Sequence, residues 1–102
     1  MSENQYLRTD DLLPLLRDQE IEVRWRAASA LSACGAAAVD PLLKHLYDDD
    51  RNVRILSIWA LGRIGDPRAS GPISRSLYDE DALVRMASEG ALSRIMQGRA
   101  EK

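Results

Sequence analysis

The sequence has little of the chemistry on which catalytic, metal-binding and secreted proteins depend. Its 102 residues include no phenylalanine, one cysteine and one histidine. The lone Cys34 excludes an internal disulfide, and with only His45 beside it the usual transition-metal sites cannot be built. No apolar run reaches the roughly 18 residues of a membrane span, and no signal peptide opens the chain. We therefore expect a cytoplasmic protein that needs no cofactor.

The chain also lacks an excess of positive charge. Its 14 lysines and arginines stand against 16 aspartates and glutamates, which leaves a formal net charge of −2. Such a balance gives no general attraction to phosphate backbones or to anionic membranes. The composition therefore argues against nucleic acid and against a membrane as partners.

What the chain does contain is one pattern that occurs three times. The stretch 48–65 consists of an acidic turn, a helix-forming segment and a closing glycine. It matches the sequence again after a shift of 30 residues backwards and of 31 residues forwards. A self-match at such a period is typical of a stacked repeat array. Six columns are identical in all three copies: Leu16/Leu46/Leu77, Asp18/Asp48/Asp79, Val23/Val53/Val84, Arg24/Arg54/Arg85, Ala30/Ala60/Ala91 and Leu31/Leu61/Leu92.

Turn residues divide each copy into a short helix and a longer one. The first long helix is expected over residues 21–34, with Gly35 as its left-handed C-terminal cap. Asp40 and Pro41 are predicted to open the next short helix, because proline is harmless in the first helical turn and disruptive beyond it. The third long helix is expected over residues 82–96.

The sequence thus predicts an all-α protein with six helices and no strand. Three antiparallel helix pairs would stack side by side into a short right-handed α-solenoid. The pairs are expected at residues 10–35, 40–65 and 67–96. A polar N-terminal lead-in over residues 1–9 and a polar C-terminal tail over residues 97–102 would flank them.

The second copy carries a resemblance to a known family. Its motifs are similar to the HEAT-like repeats of the type first recognised in phycobilisome lyase subunits, and the resemblance covers residues 10–96. It implies an α-solenoid that serves as a scaffold or binding module, and it specifies the fold more closely than the function. The segments that carry it are Leu46-Tyr47-Asp48, Val53-Arg54 and the run over residues 60–69.

One face of each long helix is predicted to be buried. On a helical wheel, five side chains of the second copy fall within an arc of about 100°. They are Val53, Ser57, Ala60, Leu61 and Ile64. An arginine at the edge of this stripe follows an acidic residue by four positions in every copy, which predicts an i,i+4 ion pair in each repeat and a ladder that sets the stacking register. The pairs are Glu20–Arg24, Asp50–Arg54 and Asp81–Arg85.

The opposite face predicts a binding groove. Ile55, Trp59 and Gly62 point away from the predicted core, and the resemblance implies that this face lines the concave surface of the solenoid. An apolar row bordered by arginines is typical of a protein-binding surface. The alternative is that a tryptophan folds over the neighbouring repeat as part of the core. The predicted groove residues are Trp25, Ile55, Trp59 and Met86, with Arg26, Arg63 and Arg94 at the rim.

Three functions remain open at this point. A protein-interaction module that holds a partner in this groove is favoured, and in the absence of the partner we expect a homodimer through the same surface. The family resemblance suggests an accessory subunit of a chromophore (bilin) lyase as an alternative. Nucleic-acid binding through the three rim arginines is the least supported. The sequence offers neither a Ser/His/Asp arrangement nor a glycine-rich phosphate loop, so we expect no enzymatic activity of its own.

Overall fold

The computed structural model describes residues 8–100, without the side chains of residues 99 and 100. Most of the predicted lead-in over residues 1–9 and the last two residues of the predicted tail lie outside this range. Within it the chain forms six α-helices and no strand. They are α1 (Thr9–Leu12), α2 (Ile21–Ala33), α3 (Ala36–His45), α4 (Arg51–Ile64), α5 (Ser70–Ser76) and α6 (Ala82–Ala100).

The helices are arranged in three stacked pairs. Each short helix packs against the long helix that follows it, and the long helices lie side by side in the order α2, α4, α6. Because α4 is in the middle, it contacts α2, α3 and α6 together. The prediction of a short all-α solenoid is confirmed.

The buried stripe of α4 is close to the predicted one. Val53, Ala60 and Leu61 are fully buried in the core, and the hydroxyl-bearing Ser57 is buried with them. The wheel missed Leu56 and Ile58, which are also buried. A stripe of about 100° covers one side of a helix, whereas α4 packs against α3 and is flanked by α2 and α6 as well.

The two short elements that contain an early proline are partly 3₁₀ helices. After α1, residues Leu13–Arg17 form a 3₁₀ helix with Pro14 in its first turn, and Pro67–Ala69 form another before α5. Proline has no N–H to donate to an α-helical hydrogen bond. The α-helix therefore gives way to the tighter form at Pro14, which keeps the first short element compact.

The turn before each long helix is built in the same way in all three copies. A carboxylate oxygen of the repeated aspartate accepts a hydrogen bond from the backbone N–H two residues later, at distances of 2.8–2.9 Å. The main-chain oxygen of the same aspartate accepts a hydrogen bond from Nη1 of the repeated arginine, at 2.7–2.8 Å. The identical columns Asp18/Asp48/Asp79 and Arg24/Arg54/Arg85 are therefore the two halves of one turn structure.

The predicted i,i+4 ion pairs are wrong. Among the described residues Arg54 does not pair with Asp50, because the Asp50 carboxylate is turned to the helix start, where it accepts from the backbone N–H of Asn52 at 2.8 Å. The ladder between repeats nevertheless exists, through other partners. Its ion pairs are Arg17–Asp48, Arg51–Asp81 and Arg54–Asp79.

The junction between the first two repeats also differs from the prediction. Gly35 has φ 64° and ψ −134°, so it is not a left-handed helix cap, whereas Gly65 with φ 77° and ψ 14° is one. Helix α3 begins at Ala36 rather than at Asp40, and Pro41 lies inside it. The alanines at positions 36–38 are strong helix formers and extend the helix backwards over the loop that we expected. At the other end, α6 continues past the expected residue 96 to Ala100. The repeat boundaries stay a prediction.

Candidate functional site

Two tryptophans from adjacent repeats meet on the face of the long helices. The ring centroids of Trp25 in α2 and Trp59 in α4 are 5.2 Å apart, and the ring planes are perpendicular. The guanidinium carbon of Arg63 lies 5.1 Å from the centroid of the Trp59 ring. Trp25 is 40% exposed, while Trp59 is half-buried and packs against the core. Both interpretations of Trp59 therefore hold in part, because the side chain packs against the core and also lines a surface groove.

A groove of about 450 Å³ opens beside this pair, between α4 and α6. We call it the α4–α6 groove. Its surface is apolar apart from one arginine at its edge. The residues that line it are Trp25, Ile55, Trp59, Ala87, Gly90, Ala91 and Arg94.

The repeat columns explain why the groove exists. Trp59 corresponds to Ser29 in the first copy and to Gly90 in the third. Between α2 and α4 the space is filled by Trp25 against Trp59, but between α4 and α6 Ile55 faces Gly90 and finds no side chain there. A Cβ atom added at Gly90 would lie more than 4 Å from every atom outside the adjoining stretch of its own helix. The groove is thus the space that the third copy leaves by having glycine in the tryptophan column.

A close helix contact lies at one end of the groove. Gly62 of α4 is buried against Ala91 of α6, and a Cβ atom at Gly62 would lie 2.9 Å from both the Cα and the Cβ of Ala91. We expected Gly62 to point into the groove, and this is wrong. The residue lets the two long helices approach each other, because no side chain larger than hydrogen fits between them.

The structure brings together four of the seven predicted groove residues. Trp25, Ile55, Trp59 and Arg94 line the groove, and the guanidinium of Arg63 lies over the Trp59 ring. The other two, Arg26 and Met86, are exposed and do not line it.

The positions of Met86 and Arg26 follow from their repeat columns. Met86 shares a column with Trp25 and Ile55, which face the next long helix, and no long helix follows α6 in the described part of the chain. Arg26 shares its column with Ala87, which faces the preceding long helix, and none precedes α2 among the described residues. Both side chains therefore lie on outer flanks of the array. Gly90 lies in the same column as Trp59 and was expected on this face, whereas the sequence interpretation overlooked Ala87.

Charge is distributed unevenly between the turns and the groove. On the turns, the hydrogen bond from Arg51 lowers the pKa of Asp81, and the hydrogen bond from Arg68 lowers the pKa of Asp66. By contrast, Arg63 and Arg94 have no ion-pair partner among the residues that the structure describes. Asp66 and Asp81 are thus paired with arginines at the turns, whereas Arg63 and Arg94 beside the groove have no carboxylate partner in the described residues.

The described residues show neither a metal-binding cluster nor a membrane-spanning helix. No group of three or more histidine, cysteine, aspartate or glutamate side chains in residues 8–100 could hold a metal ion. In the same range no helix combines the length and the apolarity that crossing a membrane requires. A second apolar depression lies on the outer flank of α6, around Leu77, Leu92 and Met96, with Glu89 at its edge.

The comparisons with known proteins agree with the architecture. No curated protein matches the chain at a significant level. The family model described as HEAT repeats matches residues 9–93, which extend from the start of α1 into α6 and so include all three helix pairs. This match spans most of the chain, and its repeating unit is the helix pair seen in the structure. The chain therefore belongs to the family of HEAT-repeat proteins.

Proposed function

We propose that this chain is a non-catalytic protein-interaction module that binds its partner in the α4–α6 groove. HEAT repeats generally mediate contacts between proteins. The observation that supports this particular site is an apolar groove of about 450 Å³ left open beside a tryptophan pair. Tryptophan and arginine are the residues most enriched among the energetic centres of protein interfaces.

The lining of the groove, with few polar groups, suits a side chain of a partner protein better than a free small molecule. Pockets for small molecules orient their ligand with several converging polar groups. The lining of this groove has one charged side chain, Arg94, and is otherwise apolar. One leucine or phenylalanine side chain inserted beside Ile55 and Gly90 would contribute about 1.5–3 kcal/mol through burial of its apolar surface.

The tryptophan that forms the wall is held in place before any partner binds. Trp59 contacts the ring of Trp25 in a perpendicular arrangement, and the guanidinium of Arg63 lies over the Trp59 ring. Aromatic pairs in this perpendicular arrangement contribute about 0.5–1.5 kcal/mol beyond their buried area. A wall that is already ordered loses little conformational entropy on binding, which favours affinity.

Two related roles use the same surface. An accessory subunit of a chromophore-lyase complex would also bind a protein, so this alternative differs in the partner and not in the groove. Without a partner, the exposed apolar surface of the groove is a route to self-association, and a two-fold homodimer is the commonest closed form.

The location of the site can be tested by filling the groove. Gly90→Leu places a side chain into open space, so the fold should survive. Gly98→Leu is the matched control, since Gly98 is exposed on the same helix, about two turns further on, and outside the groove. Immobilised wild type and the control variant should retain the same proteins from an extract of the native cell, and Gly90→Leu should lose them. An unchanged set of proteins on Gly90→Leu would show that partners bind elsewhere.

A further inference from the structure

We propose that the partner of the α4–α6 groove is a peptide segment that carries an apolar side chain and, close to it in the chain, a carboxylate. This inference rests on the proposed function and adds the chemistry of the ligand. The apolar side chain would enter the groove beside Ile55 and Gly90, and the carboxylate would bind Arg94.

The charges around the groove support a negatively charged ligand. Arg94 lines the groove, and Arg63 lies over the adjoining tryptophan ring. Neither has an ion-pair partner within residues 8–100, and no acidic side chain lines the groove. Glu22 and Glu89, on the neighbouring surfaces of α2 and α6, are both outside the lining. A basic segment would thus meet Arg94 in the lining of the groove and Arg63 beside it, with no carboxylate in the lining to offset them.

An arginine whose guanidinium lies against an aromatic ring can still bind a carboxylate. In the contact of Arg63 with Trp59, the cation lies against the ring. A guanidinium over a ring keeps its N–H donors, which form a fork that matches the two oxygens of a carboxylate. Arg63 and Arg94 therefore offer two cations in equivalent positions of adjacent repeats, separated by 31 residues in the sequence.

The repeat geometry sets the spacing within the ligand. Arg94 follows Gly90 by four residues on α6, and Arg63 follows Trp59 by four residues on α4. Each cation is therefore about one helical turn, roughly 5–6 Å, beyond the apolar part of the groove. An extended peptide covers that distance in about two residues, and a helical peptide in three or four. We expect the carboxylate two to four positions from the apolar anchor.

A second copy of this chain would have to supply the carboxylate from outside its repeated turns. The carboxylates of Asp48, Asp79 and Asp81 already accept hydrogen bonds from backbone N–H groups and form ion pairs with arginines. Using them across a dimer would require these turns to open. Single-stranded nucleic acid could stack on an exposed tryptophan, but the net charge of −2 opposes its approach.

The test begins with an unbiased selection of ligands. A phage-displayed library of random 12-residue peptides is selected on the immobilised wild-type chain, and the enriched peptides are synthesised. Binding is then measured by tryptophan fluorescence, because the only two tryptophans of the sequence, Trp25 and Trp59, are both at the groove. We expect enriched peptides with a leucine, isoleucine or phenylalanine and an aspartate or glutamate two to four residues away. Failure to enrich any peptide, or enrichment without carboxylates, would overturn the proposal.

Charge reversal then identifies the contact. Replacing the peptide carboxylate by its amide should weaken binding at least tenfold, and Arg94→Glu should do the same for the acidic peptide. A peptide with lysine in place of the carboxylate should recover affinity for Arg94→Glu. Arg94→Lys should retain intermediate affinity, since it keeps the charge and loses the fork. Equal binding of the acid and amide peptides, or competition of the peptide by a single-stranded oligonucleotide, would count against the proposal.

The two proposals can fail separately. If Gly90→Leu abolishes peptide binding while Arg94→Glu leaves it unchanged, the groove remains the binding site and the carboxylate requirement is wrong. If Gly90→Leu binds the same peptides as wild type and as Gly98→Leu, the groove itself is not the site. Sedimentation of the complexes distinguishes bound peptide from a change in self-association. Thermal melts of all variants by circular dichroism check that each one is folded.

Discussion

Arg54 of α4 forms an ion pair with Asp79 in the turn of the next repeat, with Nε 3.1 Å from Oδ2. The same guanidinium donates from Nη1 to the main-chain oxygen of Asp48 at 2.8 Å, in the turn of its own repeat. The side chains of Arg54 and Asp79 are only 13% and 16% exposed. One arginine therefore connects two consecutive turns and couples the positions of two repeats.

Arg54→Met should lower the free energy of unfolding by about 1.5–3 kcal/mol, because it leaves a carboxylate and a main-chain oxygen without their charged donor. Asp50→Ala removes a helix cap and should cost less, about 1 kcal/mol. Arg24→Met is the control, since Arg24 makes the contact within its turn but has no ion pair among the described residues. Urea unfolding of the three variants would measure the order, and a larger loss for Asp50→Ala would contradict it.

Gly62→Ala should destabilise the protein by about 1–3 kcal/mol, because its methyl group overlaps with Ala91 and pushes α6 away from α4. The same substitution at Gly90 should have the opposite sign. Its methyl group meets nothing within 4 Å, and alanine is favoured over glycine in a helix by about 0.5–1 kcal/mol. Chemical denaturation of both variants tests this pair. Equal effects at the two positions would mean that the helices are not in such close contact at Gly62.

The ion pair between Arg51 and Asp81 should make stability sensitive to acid. The pKa of Asp81 is lowered in the folded state, chiefly by the hydrogen bond from Arg51. In the unfolded chain an aspartate has a pKa of about 3.9, so the unfolded state takes up this proton first as the pH falls. The stabilisation is therefore complete above that value and is lost as the pH falls through the folded pKa.

Melting temperatures measured from pH 6 to pH 2.5 would show this effect. Asp81→Asn should flatten the acid side of the curve relative to wild type, and Arg51→Met should do so as well, because either change removes the pair. If both variants lose stability with falling pH as steeply as wild type does, other carboxylates control the acid transition.

The wild-type chain alone should form a homodimer at micromolar concentration, and Trp59→Ser should be largely monomeric. The substitution removes the wall of the α4–α6 groove and the aromatic contact with Trp25. Sedimentation of the two proteins side by side measures this. A monomeric wild type would remove the dimer prediction. If the variant is still a dimer, we infer that the interface lies on the outer flank of α6, around Leu92 and Met96.

The sequence by itself determined the architecture. The same columns recur in every repeat at a period of 30 to 31 residues, so comparing the chain with itself identifies the helix pairs and most of the buried stripe. It could also place Trp25, Ile55, Trp59 and Arg94 on one face, because helical periodicity fixes which side of a helix a residue occupies. Their role in binding a partner stays a prediction.

Only the tertiary structure decided how the repeated charges pair and where the groove opens. Asp50 and Arg54 have an ideal spacing for a helical ion pair, but capping the helix and clamping the turn engage these groups more completely. Gly62 and Gly90 look alike in the sequence, yet one lies in the tightest contact between α4 and α6 and the other borders open space. The difference arises because periodicity gives the direction of a side chain but not the distance to the next helix. That distance is set by the smallest residues at the contact, here Gly62 against Ala91.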